Sequence, residues 1–155
     1  MKKFRGKRRY FRQLWEQVNA FYLQPDNESW FDFWHFHLDF YGFGEHSVKL
    51  RREHIKAHIA LYKNLLKRLE QIEKPSQSWI CLHEEDAGLD AVYIHTSNPN
   101  HDNFPHKFDA VDWNCKIPAA FNDLIDPDLF HVGYKKSDDG GIYFIQSKEQ
   151  NIKLF

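Results

Sequence analysis

The stretch SVKLRREHIKAHIALYKNLLKRLEQIEK, Ser47–Lys74, decides the fold class. Ser47 is a helix N-cap residue, and Lys74-Pro75 is a stop, so the stretch predicts a helix running to about Glu73. At 1.5 Å per residue it is about 40 Å long. Its faces separate: Lys49, Arg52, Lys56, Lys63 and Lys67 line one side. Leu50, Ile55, Ile59, Leu61, Tyr62, Leu65, Leu66, Leu69 and Ile72 line the other, the pattern of a helix laid on a hydrophobic partner. His58 projects near the centre of the apolar arc, and His54 lies about 40° from it.

Upstream, Trp30–Tyr41 alternates Asp32, Trp34, Phe36, Leu38 and Phe40 against Phe31, Phe33, His35, His37 and Asp39, which predicts a twelve-residue strand. Gly42 and Gly44 close it. Before it, Tyr10, Phe11, Leu14, Trp15, Val18, Phe21 and Tyr22 share one side of a helix from about Lys7 to Leu23, which Pro25 ends. Downstream the chain is strand-rich. Ser78–His83 and Asp90–Thr96 flank the acidic turn Glu84–Gly88, and Ser97–Asp109 reads as a loop. Val111–Lys116 reads as a strand followed by a short helix after Pro118. Leu129–Lys135 and Gly141–Ser147 make the clearest hairpin. The sum is an α+β fold: an antiparallel sheet of about five strands with two main helices packed on one face. The sheet becomes mixed if the long helix is a crossover between neighbouring parallel strands. No repeat or linker divides residues 1–155, so one domain is expected, with a basic tail over about residues 1–6.

Composition bounds the function classes. The chain has 155 residues, and its 14 Phe, 7 Tyr and 5 Trp against one Met provide a substantial core from large rings. Its 21 basic and 22 acidic residues nearly cancel, which argues against a dedicated nucleic-acid binder. Seven of the cations fall in the first twelve residues, leaving 14 basic and 22 acidic residues in the rest. That basic arm reads as a solubilising tail that docks on the acidic body. Cys81 and Cys115 form no CxxC pair, and reduced thiols in a cytoplasmic protein are the expected state. Arg12, Gln13, Glu16 and Gln17 interrupt any export-signal core, and no stretch is apolar enough to span a membrane.

Three groups of residues carry chemistry. His35, His37 and Asp39 leave one face of the predicted strand, and His54 and His58 stand one helical turn apart. Together they are the candidate ligands for a divalent transition metal. His-Ile-Lys-Ala-His lacks the Glu after its first His that a zinc-protease motif needs. A buried imidazole must find a hydrogen-bonding partner, so the two histidine pairs are expected to meet in one polar pocket beneath the sheet. His83, Glu84, Asp86 and His95 form a candidate rim to that pocket. Trp30, Trp34 and Trp113 are candidate contacts for a protein partner, since such aromatics dominate interfaces.

No complete catalytic motif is present. The first functional reading is therefore a small cytoplasmic interaction protein, similar in kind to immunity proteins or antitoxins, that occludes a partner. The second is a metal-dependent hydrolase built on the histidine and carboxylate set. Nucleic-acid binding through the basic arm and the basic helix face ranks last.

Overall fold

The computed structural model describes residues 7–20, 33–36, 38, 47–70, 77–85, 88–97, 110–138 and 140–149. The long helix, Val48–Leu69, begins as its N-cap predicts: the Ser47 hydroxyl accepts from the Leu50 N–H at 3.4 Å. Lys67 and Arg68 occupy its last turn, where positive charge suits the carbonyl end of the helix dipole. It ends at Leu69 with Glu70 as the C-cap, short of the expected Glu73. Pro75 restricts Lys74 rather than the preceding turn, so it locates the end only to within a few residues.

In chain order the elements are α1 (Lys7–Ala20), β1 (Phe33–Phe36), α2 (Val48–Leu69), β2 (Gln77–Glu85), β3 (Gly88–Ser97), α3 (Ala119–Asn122), β4 (Phe130–Ser137) and β5 (Gly140–Ser147). The four long strands lie in the order β3-β2-β5-β4, and the short β1 adds to the outer side of β3. Every pairing is antiparallel. This settles the crossover question: β1 and β2 both flank β3, so α2 joins two co-directional strands that are not neighbours.

Alternation along the strands assigns the two faces. Ile80, Leu82, Val92, Ile94, Tyr143 and Ile145 face the helices. There they meet Ile55, Ile59, Leu61 and Leu65 of α2, with Leu14 and Val18 of α1 joining the same core. Burying each such aliphatic side chain contributes about 1.5–3 kcal/mol. The opposite parity, Trp79, Cys81 and Phe144, forms a second cluster with Tyr93, Val111, Trp113 and Ile142. Both helices thus serve one face, as the apolar stripe of α2 requires.

Three expectations change. The predicted twelve-residue strand is described as a strand only over Phe33–Phe36. Leu38 is outside it, because its N–H goes to a side chain of α2 rather than to a neighbouring strand. Val111–Lys116 is not a strand either. It makes one isolated bridge, Asp112 with Tyr134, along the outer edge of β4. Conversely, β2 and β3 run longer than expected, to Glu85 and from Gly88. Gly88, at φ +101°, begins the return in a backbone region that favours glycine.

Candidate functional site

The helix-side histidines are held by backbone. His58 is fully buried, and its Nδ1–H donates to the His54 carbonyl at 2.9 Å. Its Nε2 accepts the Leu38 N–H at 3.2 Å. Those two partners assign a neutral Nδ1–H ring and leave no lone pair for a metal. His54, also buried, meets that ring edge-on with centroids 4.4 Å apart. The pair ties α2 to the segment after β1. The partner that sequence required for His58 is therefore the main chain between His37 and Asp39.

A second polar device on this side opens the sheet. The ladder of β2 and β5 closes at Ile80 opposite Ile145. Beyond it, the Tyr62 hydroxyl donates to the Ser78 carbonyl at 2.7 Å and accepts the Ser147 N–H at 3.0 Å. It occupies the place of the rung that the strands would otherwise share, so the strands are bridged through a side chain. Burial pushes the Tyr62 phenol well above the ordinary tyrosine range, which keeps the donating proton in place, although the Ser147 N–H works against the shift.

The far face carries its chemistry in rows. His95 pairs with Trp79 in register, and the two rings stack at 4.7 Å. Gln146 follows Ile145, the last residue of β5 in register with β2, and is the direct partner of His131. His35 is the backbone partner of His95 on the other side. Two register rows result, His35, His95 and Trp79 in one and Gln146 and His131 in the other. Further along the strands, the His83 Nε2 lies 2.8 Å from the Tyr93 hydroxyl. Burial, with the Cys81 thiol adding to it, holds the Tyr93 phenol protonated, so the two groups share a neutral hydrogen bond. Burial also lowers the proton affinity of His83, with the Asp90 carboxylate acting in the opposite sense.

The sequence-predicted residues divide between these regions. His54 and His58 meet each other beneath the sheet. His83 and His95 share the far face but stand four residues apart in register, roughly 13 Å along the strands. Glu84 lies near the Tyr143 hydroxyl, and Tyr143 belongs to the helix-side core, so Glu84 is not on the far-face rim. His37, Asp39, Asp86 and Trp30 lie outside the described residues, and for His35 and Trp34 only the backbone pairings, to His95 and Thr96, are described. Among the described residues no three His, Cys, Asp or Glu side chains gather as a metal-binding group. Tyr62, Tyr93 and Gln146 were not singled out from sequence. A tyrosine in the apolar arc of a helix was the available signal, since a buried hydroxyl needs a partner.

Trp113 is half-buried and packs with the Trp79 cluster. A Cβ on Gly133 would run into Val111 and the Trp113 ring, so the indole lies against the bare backbone of β4. The same Trp113 lines a cavity of about 800 Å³ along the β4 edge with Ile117, Ile125 and Phe130, and with Lys116 and Lys148. His131 and Cys115 also line it. The Cys115 thiol donates to the Val132 carbonyl at 3.6 Å, and burial raises it above the ordinary thiol range, with Asp112 adding to the shift. It is held as a thiol rather than as a nucleophilic thiolate. Cys81 likewise forms no disulfide. No helix among the described residues is long and apolar enough to cross a membrane. No family model, curated protein or solved structure matches this chain, so the reading of its function rests on the geometry above.

Proposed function

We propose that this chain is a small cytoplasmic binding protein, of the immunity or antitoxin kind, that occludes a partner at the β4 edge. The observation that carries the reading is the cavity of about 800 Å³ beside Trp113. Its apolar wall and charged rim fit a bulky side chain or a short peptide segment. A tryptophan seated on a rigid strand suits an interface anchor, because it loses little freedom on contact. Lys116 and Lys148 share the lining with Asp123 and Asp126, so it suits a partner that presents both signs of charge. The test uses native extract and the double variant Lys116→Glu/Lys148→Glu, both exposed positions. The wild-type chain is expected to recover one stoichiometric protein, and the variant is expected to lose it with an unchanged melting temperature. Equal recovery by both chains, or a wild type that elutes alone, removes the reading.

A metal-dependent hydrolase is the second reading, favoured by one observation: His35 is the register partner of His95. Cα atoms of directly opposed residues lie about 4.5–5.5 Å apart, close enough for two imidazoles to share an ion. Elemental analysis of untagged protein tests it. Zinc, iron or manganese at stoichiometric content, lost in His95→Ala, supports this reading, and equal content in both chains ends it.

A further inference from the structure

Gln146 is 1 % exposed, and neither its Oε1 nor its Nε2 has a hydrogen-bond partner among the described residues. A buried primary amide with both atoms unmatched forfeits the hydration of a donor and an acceptor. Such a group calls for an explanation in a fold that satisfies His58 and Tyr62 so fully. Its position supplies one. Gln146 stands where the β2–β5 ladder stops and the Tyr62 hydroxyl replaces the next rung. Its register partner on β4 is His131, which lines the β4-edge cavity.

We propose that Gln146 is the recognition residue of a binding site for a carboxamide-type group, one that presents an N–H donor beside a carbonyl acceptor. Two amides facing each other exchange a reciprocal pair of hydrogen bonds, which satisfies both atoms of Gln146 at once. Gln146 does not itself line the cavity; its register partner His131 does, so a ligand reaches the amide only if the His131 side chain gives way. Trp113, on the same cavity wall, offers an aromatic surface to whatever carries the amide. The site does not depend on the partner-occluding reading. A free small molecule and a partner's Asn or Gln side chain present the same chemistry.

The test is a nitrogen-15 NMR titration of the whole chain with benzamide, and with acetophenone as a matched ring lacking the donor. The Gln146 side-chain amide pair, assigned by its loss in Gln146→Met, is expected to shift saturably with benzamide. The dissociation constant should be in about the millimolar range typical of so small a fragment. Acetophenone is expected to bind several-fold more weakly, and Gln146→Met is expected to lose benzamide binding. Freed of an unmatched amide, that variant should also melt about 2–8 °C higher. No saturable shift with benzamide, or equal binding by the variant, overturns the site. Gln146→Asn, which withdraws the amide by one methylene, serves the binding comparison if the Met variant does not fold. Loss of partner recovery in the Lys116/Lys148 variant alongside no benzamide binding would sink this site alone. Benzamide binding without any recovered partner would retain it and sink the other reading. A free Asn-containing dipeptide that matches benzamide identifies a polypeptide source, and benzamide binding without it identifies a small molecule.

Discussion

The two sides of the sheet treat polar groups on opposite terms. Beneath it, His58 spends both ring nitrogens on main-chain groups, and Tyr62 replaces a missing rung. Their polarity is consumed in joining elements together. On the far side, His83 shares a nitrogen with Tyr93, His95 stacks on Trp79, and Gln146 keeps an unmatched amide. A side chain whose hydrogen bonds all end on backbone is a structural fastener. One that meets other side chains, or nothing, retains capacity for a ligand.

If that contrast holds, the helix side should be the costlier one to disturb. His58→Leu strands the Leu38 N–H and is expected to cost about 2–4 kcal/mol. Thermal melting should show a fall of about 4–12 °C. A loss under a degree would mean that the ring is not the fastener described here.

Tyr62→Phe removes one hydroxyl that serves two buried main-chain groups, for an expected loss of about 2–3 kcal/mol in urea unfolding. A markedly smaller loss would show Ser78 and Ser147 closing on each other to restore the rung. On the far side, Gly133→Ala drives a methyl into Trp113 and Val111. Overpacking of this kind costs about 1–3 kcal/mol. Tryptophan emission should shift to the red while amide exchange in α2 stays protected; loss of α2 protection would break the distinction between the faces.

The smallest effect concerns pH. Burial lowers the proton affinity of His83, so the folded chain binds fewer protons there than the unfolded chain. Its contribution is present above the unfolded value of about 6.5 and is lost as pH falls from there through the lower folded value. His83→Gln should flatten the decline in melting temperature below about pH 6.5. An unchanged slope would place the acid sensitivity elsewhere.

Much of the frame was legible in the chain. The Ser47 cap and the apolar arc of α2 are local signals, and the β4–β5 hairpin announced itself by alternation around a turn. The limits of β1 were not legible. Nothing in Trp30–Tyr41 marks Leu38 as the point where the N–H leaves the sheet, because the acceptor is twenty residues away on α2. The strand expected at Val111–Lys116 failed for a related reason. Its residues suit a strand, but only Asp112 pairs with β4. The candidate site was partly legible. His54 and His58 were rightly expected to be buried side by side, but their expected meeting with the strand histidines depended on register. Of those strand histidines, His37 lies outside the described residues and His35 is described only by its backbone pairing with His95.

Sequence by itself determined the class of fold, the apolar face of the long helix and the burial of its two imidazoles, since periodicity and capping act over a few residues. Only tertiary structure decided that β3 lies between β1 and β2, that Tyr62 parts β2 from β5, and that the Gln146 amide is unmatched among the described residues. Each of these follows from pairing between distant segments. A shift of one residue in that pairing would move every side chain to the other face.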